Sequence, residues 1–249
     1  MLKKIGIGLA AVGTAAAAVG AYLRFIRPLY RGWGATGEDI ARAMPGDDIV
    51  EHPDRVETFA ITIQARPADI WPWLAQIGYK RGGMYSYTWL EKLMGVPMSN
   101  ADRILPEFQE LKVGDVIAYG PQGPYLPVLE VLPNRVLMLG GYDPVKGGGT
   151  TTFALDELDQ EHTRLIMRGR THWPNWTLRG ILSKPPSGQR LRDLLMYLFF
   201  EPGQFIMMRK MLLGIKQRAE RASRQTPEPA GATARSEPRQ NEPVPLSSQ

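Results

Sequence analysis

The chain has 249 residues, of which 43% are hydrophobic and 22% charged, and it contains no cysteine. This composition excludes a collagen-like or wholly disordered chain, and the lack of cysteine excludes disulfides, thiolate zinc sites and a cysteine nucleophile. The net charge is +5 at pH 7, but the basic residues are concentrated near the two ends and the body between them is mildly acidic. Because a nucleic-acid binder carries positive charge on its folded surface, we expect no nucleic-acid partner.

Residues 5–23 contain no charged side chain and are flanked by lysines and arginines. A helix of this length spans about 28 Å, close to the hydrocarbon thickness of a bilayer. We therefore expect residues 1–31 to form an N-terminal membrane anchor with one transmembrane helix. A cleaved signal peptide ending at the small residues 15–17 is the alternative. The positive charges of the two flanks nearly balance, and we expect a single-pass protein of the cell membrane with a cytoplasmic body.

The first elements after the anchor are a linker, a strand and a helix. Residues 32–50 are typical of a linker with a short helix near residues 38–43. Apolar and polar residues then alternate up to residue 65, with Phe59, Ile61 and Ile63 on one face, which predicts a half-buried strand. Pro67 suits a first helical position, and apolar residues at helical spacing predict a helix that ends at Gly78.

A second short helix is expected over residues 85–94, and strands follow it. Turn residues separate these strands, which is typical of an antiparallel meander. The expected strands are residues 115–119, 125–132, 135–139, 150–155 and 163–171. We interpret the three glycines at 147–149 as a flexible loop.

The C-terminal part returns to a helical period. A first helix from residue 189 is expected to break at Pro202-Gly203, and a longer amphipathic helix follows with an apolar stripe through Phe205, Met208, Leu212 and Ile215. Residues 224–249 contain five prolines and no aromatic residue, which predicts a disordered tail.

This order of elements predicts an α+β helix-grip fold over residues 51–223. In this fold a curved antiparallel sheet wraps around a long C-terminal helix and leaves a cavity between them. The helix cannot bury its apolar stripe unaided, so the sheet must receive it.

Four stretches carry a resemblance to a known family. They are ITIQARPADIWPWLAQ at 61–76, RGGMYSYTWLEKLMG at 81–95, NADRILPEFQELKVGD at 100–115 and FIMMRKMLLGIKQRAE at 205–220. Over residues 33–222 the chain resembles bacterial proteins of the START/polyketide-cyclase-like (SRPBCC) superfamily, in a branch whose members often carry an N-terminal hydrophobic segment. The resemblance implies a helix-grip fold with a ligand-sized cavity and leaves any reaction open.

Aromatic side chains with a polar tip suit a pocket for a large apolar molecule, and a polar loop near residue 100 could orient such a ligand. Core packing is the alternative for each aromatic residue, and a loop held by Asn and Asp side chains is the alternative for the polar group. The candidate ligand-binding residues are Arg81, Tyr85, Tyr87, Trp89, Asn100, Asp102, Arg103, Tyr119 and Trp173.

Catalytic groups are sparse in this sequence. The three histidines lack the spacing of a metal pair, and we expect neither a metal nor a cofactor. Asp102, Glu91 and Glu107 are the acid–base candidates. Three arginines of the last predicted strand, Arg164, Arg168 and Arg170, share one face, which we expect to be solvated.

Two functions remain open at this stage. The first is a membrane-tethered module that binds or transfers a lipid-like hydrophobic ligand. The alternative is an enzyme of cyclase, hydrolase or isomerase type that uses the same cavity. A dry, apolar cavity would favour the first, and carboxylates converging inside it would favour the second.

Overall fold

The computed structural model describes residues 13–14, 17–143, 147–173 and 188–225. Six strands form one antiparallel sheet in the order β1-β6-β5-β4-β3-β2. The strands are β1 (Arg55–Ile63), β2 (Val116–Ala118), β3 (Tyr125–Leu132), β4 (Val136–Asp143), β5 (Gly147–Glu157) and β6 (Thr163–His172). All six strands lie at or near their predicted positions, because alternating apolar residues mark a sheet with one buried face.

The helices lie before, between and after the strands. A π-helical turn at Tyr22–Ile26 runs into α1 (Arg27–Arg31), and α2 (Gly37–Ala41) precedes the sheet. Between β1 and β2 lie α3 (Pro67–Ala75), α4 (Thr88–Leu93) and a 3₁₀ turn at Pro106–Phe108. The last helix, α5, spans Gly188–Gln225 and has 38 residues.

One face of the sheet, here called the inner face, packs against α5. Phe59, Phe153 and Leu137 of this face belong to the same buried core as Leu212 and Ile215 of the helix. Residues two apart on a strand share a face, so the apolar alternation of the strands supplies this core. The chain is therefore an α+β protein in which an antiparallel sheet holds a long C-terminal helix, and this arrangement fits the expected helix-grip fold.

The outer face of the sheet is covered by the segment 32–50. Met44 packs there in a small second core with Ala60, Ala154 and Ile166. The short helix expected in this segment is present as α2, and Thr36 begins it with a capping box that involves Asp39.

The expectation of a solvated arginine face is wrong. Arg168 is only 4% exposed; it donates to the carbonyls of Asp39 and Arg42 at 2.6 and 2.8 Å and pairs with Asp47 at 2.7 Å. The last carbonyls of a helix lack partners within it, and a planar guanidinium offers five donors. Arg168 therefore fastens the end of α2 to the sheet. Arg164 and Arg170 likewise donate to carbonyls of this segment.

Two predictions about glycine and proline are also wrong. The three glycines at 147–149 open β5 rather than form a loop, because β5 lies between two backbones there: a side chain on Gly148 would collide with the carbonyl of Gly141. Helix α5 continues through Pro202, although proline inside a helix costs about 3 kcal/mol. Tertiary contacts on both sides of Pro202 hold the helix, through Glu201 and Gln204.

The two ends of the chain are described only in part. Residues 17–21 are helical and lead into the π-helical turn, but the rest of the expected transmembrane segment, residues 5–23, lies largely outside the described residues. Among the described residues, no helix is long and apolar enough to span a bilayer. The expected disordered tail lies outside the described residues except for 224 and 225, which end α5.

Arg168→Met tests whether the segment 32–50 is fastened as described. The substitution keeps the apolar stem but removes every hydrogen bond to α2 and to Asp47, so we expect a loss of about 3 kcal/mol or more in the free energy of unfolding. Urea unfolding followed by tryptophan fluorescence measures it. Arg66→Met is the matched control, because Arg66 is exposed and pairs with its near neighbour Asp69, and it should cost less than about 1 kcal/mol. Equal effects of the two changes would contradict the account.

Candidate functional site

Along the strands, the side chains of the inner face change from bulky and apolar to smaller and partly polar. Partners in an antiparallel pair point to the same face, so cross-strand pairing arranges the inner residues in rows. One row is bulky and consists of Phe59, Met167, Phe153 and Leu137. The next row toward the start of β1, here called the Glu57 row, consists of Glu57, Gly169, Thr151 and Leu139.

Helix α5 passes over both rows, but the Glu57 row fills less of the space beneath it. Phe205 of α5 packs on Phe59 in the bulky row with ring centroids 5.9 Å apart, whereas Gln204 reaches Glu57. In the Glu57 row, glycine and threonine replace the methionine and phenylalanine of the bulky row. The Glu57 row therefore presents less side-chain volume to α5 than the bulky row does.

Glu57 is the buried carboxyl group of this row. Its Oε1 accepts hydrogen bonds from Arg55 at 3.1 Å and from Gln204 at 3.3 Å. A side chain on Gly169 would come within 3.0 Å of the same oxygen, so the glycine makes room for the carboxyl. Burial raises the pKa of Glu57, although the charges of Arg55 and Arg31 oppose the rise. Glu57 therefore takes up a proton more readily than an exposed glutamate does.

A second buried carboxylate, Glu201, joins the N-terminal helices to α5. Arg27 donates to both of its oxygens, each at 2.6 Å, and the Tyr30 hydroxyl donates at 3.1 Å. Burial pulls the pKa of Glu201 upward, but the pairing with Arg27 and the charges of Arg55 and Arg31 outweigh it and hold the pKa below its ordinary value. Glu201 stays ionised, so charge-assisted bonds fix α1 on α5.

Tyr119 is the sequence-predicted site residue that the structure couples to Glu57. It follows β2 and packs against the main core. Burial and the negative charge of Glu57 raise the pKa of its hydroxyl to about 12. Tyr119 therefore keeps its proton at physiological pH and can donate a hydrogen bond.

Three other predicted site residues build the scaffold beside α5. Tyr85 is buried in the core, where its hydroxyl donates to the carbonyl of Trp73 at 3.1 Å. Asn100 accepts from the Tyr85 backbone amide at 2.7 Å and donates to the carbonyl of Ser86 at 3.0 Å. Arg81 donates to the carbonyl of Ala75 at 2.9 Å. The structure thus brings Tyr85 and Asn100 together, and their polar groups are occupied by backbone partners.

The remaining predicted residues lie at or near the surface. Tyr87 and Trp89 form a pair with ring centroids 6.3 Å apart, and Trp89 is 64% exposed. Asp102 and Arg103 are exposed on the loop that follows Asn100. Trp173 lies just beyond the end of β6, where its backbone amide donates to Asp54 at 2.9 Å.

Glu91 is the buried member of the three acid–base candidates, since Asp102 and Glu107 are exposed. It lies on α4 and is only 3% exposed, and neither of its carboxyl oxygens has a hydrogen-bond partner within the described part of the chain. Burial raises its pKa. A buried carboxyl group without a partner reduces stability, so Glu91 is a candidate for contact with a bound molecule.

Sequence reasoning missed Glu57 and Glu201, although each had a signal. Glu57 lies two residues before Phe59 on a strand whose odd-numbered residues face inward, so the strand period places its carboxyl inside. Glu201 lies four residues before Phe205, on the apolar stripe of α5. In both cases the signal is a charged residue at a position that the period assigns to the core.

The described residues contain no group of three or more His, Cys, Asp or Glu side chains that could hold a metal ion. Two of the histidines pair with carboxylates near the ends of strands. The contacts are His162 to Asp159 at 2.9 Å and His172 to Asp54 at 2.8 Å.

No protein-family model and no curated protein matches the sequence. Among solved structures, a protein from Mesorhizobium loti is similar at 18% identity and a TM-score of 0.34, over 67% of this chain and 98% of that chain. A protein from Thermobifida fusca is similar at 12% identity and a TM-score of 0.37, over 67% and 94% of the two chains. A protein from Nitrosomonas europaea is similar at 15% identity and a TM-score of 0.36, over 68% and 96%. The fold class follows from the order of the strands in the sheet and from the packing of α5 on its inner face.

Glu91→Gln tests the unpartnered carboxyl through the pH dependence of stability. Below the ordinary glutamate pKa of 4.5 the carboxyl is neutral in both the folded and the unfolded chain, so the substitution should change little. As the pH rises, the unfolded chain ionises first and the wild type loses stability relative to the variant. We expect a higher unfolding temperature for Glu91→Gln at pH 7.5, with the gain absent below pH 4.5.

Glu110→Gln is the matched control, because Glu110 is exposed and its substitution should stay within about 0.5 kcal/mol at every pH. A pH-independent effect of Glu91→Gln would contradict the assignment of Glu91 as a buried, unpartnered acid.

Proposed function

We propose that this protein is a membrane-tethered module that binds or transfers a lipid-like hydrophobic molecule in the groove between α5 and the inner face of the sheet. The observation that carries the proposal is the Glu57 row, where small residues and a buried carboxyl follow the bulky apolar row. The resemblance to the START/polyketide-cyclase-like superfamily supports the same reading. Membership of that superfamily is part of the proposal.

The two rows suggest how such a ligand would be oriented. Its apolar body would lie toward Leu139, the apolar side chain of the Glu57 row. The polar group would meet Glu57, whose Oε2 takes part in neither hydrogen bond from Arg55 and Gln204. Ligand sites commonly combine an apolar wall with a few polar groups that fix orientation. The expected ligand class is therefore a long apolar molecule with one polar end.

The tether rests on the uncharged residues 5–23, which precede α1 directly. Helix α1 is fixed to the body by Arg27 and Glu201, so an anchor would hold the groove close to the bilayer. A ligand could then enter from the lipid without crossing water, which would otherwise oppose the transfer of an apolar molecule.

Native mass spectrometry of the detergent-extracted full chain tests whether a molecule occupies the groove. We expect the wild type to retain one lipid-like molecule and Thr151→Phe to lose it, because the phenyl ring would fill the space above the Glu57 row. Thr151→Val is the matched control, since it keeps the size of the side chain and should keep the bound molecule.

Two results would overturn this proposal. One is a wild-type protein that retains no molecule after gentle extraction. The other is a Thr151→Phe variant that folds with an unchanged unfolding temperature and still retains the molecule, because the bound molecule would then lie outside the groove.

The second candidate function is an enzyme that uses the same groove. The observation that favours it is the pair of Glu57, whose pKa is raised, and Tyr119, which keeps its proton. A carboxyl with a raised pKa suits general acid–base catalysis near neutral pH. This candidate needs Glu57 to exchange a proton with the ligand rather than only to bind it.

Glu57→Gln separates the two functions. A binding module should retain a molecule of the same mass in the wild type and in the variant, with reduced occupancy in the variant because a carboxyl acceptor is lost. An enzyme should accumulate unreacted substrate in the variant, so the retained molecule would change in mass. Native mass spectrometry followed by extraction of the ligand measures both.

A further inference from the structure

The first half of α5 exposes an apolar stripe. Leu195, Phe199 and Ile206 are 45%, 73% and 48% exposed, and their spacing of four and seven residues places them on one side of the helix. Arg192 lies three residues before this stripe and Arg209 three residues after it, and both are exposed. A helix face of this kind lies against an apolar medium rather than in water.

The N-terminal helices expose a second apolar group. Phe25, Ile26 and Leu29 are 64%, 52% and 72% exposed, whereas the opposite side of the same helices faces the body through Tyr30. Arg24 is also exposed, with its guanidinium 5.4 Å from the centroid of the Phe25 ring.

The two helices that carry these groups pack against each other. Arg27 and Glu201 join the two helices by the buried ion pair at 2.6 Å, and Tyr30 stacks on Phe205 with ring centroids 5.5 Å apart. Large apolar side chains on neighbouring helices are rare on the surface of a soluble domain and mark an interaction site. We name Phe25, Ile26, Leu29, Leu195, Phe199 and Ile206 together the two-helix surface.

The chemistry of the two-helix surface identifies its partner. Among the side chains that the structure describes, the exposed charged ones beside it are Arg24, Arg192 and Arg209, and the carboxylate of Glu201 is buried in its pair with Arg27. The uncharged residues 5–23 run directly into its first helix. Apolar side chains with flanking arginines bind the interface of a membrane that contains anionic lipid.

We propose that the two-helix surface lies on an anionic bilayer, with its apolar side chains in the interfacial layer and its arginines at the lipid phosphates. The inference rests on the proposed tether, and it adds how the folded domain is oriented relative to the bilayer. Glu201 lies one turn of α5 before Gln204, which donates to Glu57. The bilayer would therefore adjoin the end of the groove where the Glu57 row lies.

Single-cysteine labelling of the full chain tests this orientation. The chain has no cysteine, so Leu29→Cys and Phe199→Cys each give one attachment point for an NBD fluorophore. After reconstitution into phosphatidylcholine–phosphatidylglycerol vesicles, we expect brominated lipids to quench most of the NBD emission at both positions. Leu158→Cys is the matched control: Leu158 is 57% exposed in the β5–β6 turn, at the opposite end of the sheet, and its label should keep its emission.

The outcomes separate this inference from the proposed function. Labels at 29 and 199 that are quenched no more than the label at 158 would overturn the two-helix surface as a lipid contact. Close approach of labels at 199 in two copies, detected by pyrene excimer emission without lipid quenching, would overturn it in favour of a dimer. Flotation of the same vesicles measures whether the chain is attached to the membrane. Native mass spectrometry measures whether the groove holds a molecule, so each of these two proposals can fail or hold independently.

Discussion

The packing of α5 on the inner face of the sheet is the contact on which the rest of the structure depends. The stripe of Met211, Leu212, Ile215 and Ala219 is buried, and a helix of this length gains its stability from such burial rather than from propensity. The bulky row of the sheet meets that stripe. Over the Glu57 row, the same helix faces a carboxyl group and a glycine instead of bulky apolar side chains. The candidate site therefore lies where the packing of α5 on the sheet is locally weaker.

Burying carboxyl groups at this weaker contact costs electrostatic free energy, and the positive charges around them reduce that cost. Glu57 and Glu201 would each be unfavourable if buried alone, but Arg27, Arg31 and Arg55 lie among them and lower the energy of the ionised forms. The arginine charges outweigh the effect of burial at Glu201, whose pKa is lowered. They do not outweigh it at Glu57, whose pKa is raised. Replacing a buried ion pair by apolar residues often leaves a fold as stable or makes it more stable, so these charges are weak evidence of a role in stability.

The sequence predicted the strands and the packing of α5 well, because period-two and period-3.6 patterns reflect burial directly. It failed where long-range partners decide the outcome. Pro202 locally indicates a helix end, but the ion pair of Glu201 with Arg27 and the hydrogen bond of Gln204 with Arg55 hold the helix on both sides of it. The sequence predicts that Arg168 lies at the surface. Only the position of α2 shows that its guanidinium is needed to bind the carbonyls at the end of that helix. The strand period alone places Glu57 on the inner face, but its partner Gln204 lies 147 residues further along the chain, which no local pattern reveals.

The N-terminal helices and the buried carboxyls Glu57 and Glu201 are electrostatically linked in this fold. Arg27 and Arg31 belong by sequence to the segment expected as the anchor, yet Arg27 neutralises Glu201, and Arg31 donates to the carbonyl of Val56 at 2.6 Å, next to Glu57. A movement of α1 relative to α5 would remove positive charge from both carboxyls. The pKa of Glu57 would then rise further, because desolvation would remain while the opposing charge of Arg31 would be lost. The position of α1 therefore influences how readily Glu57 takes up a proton.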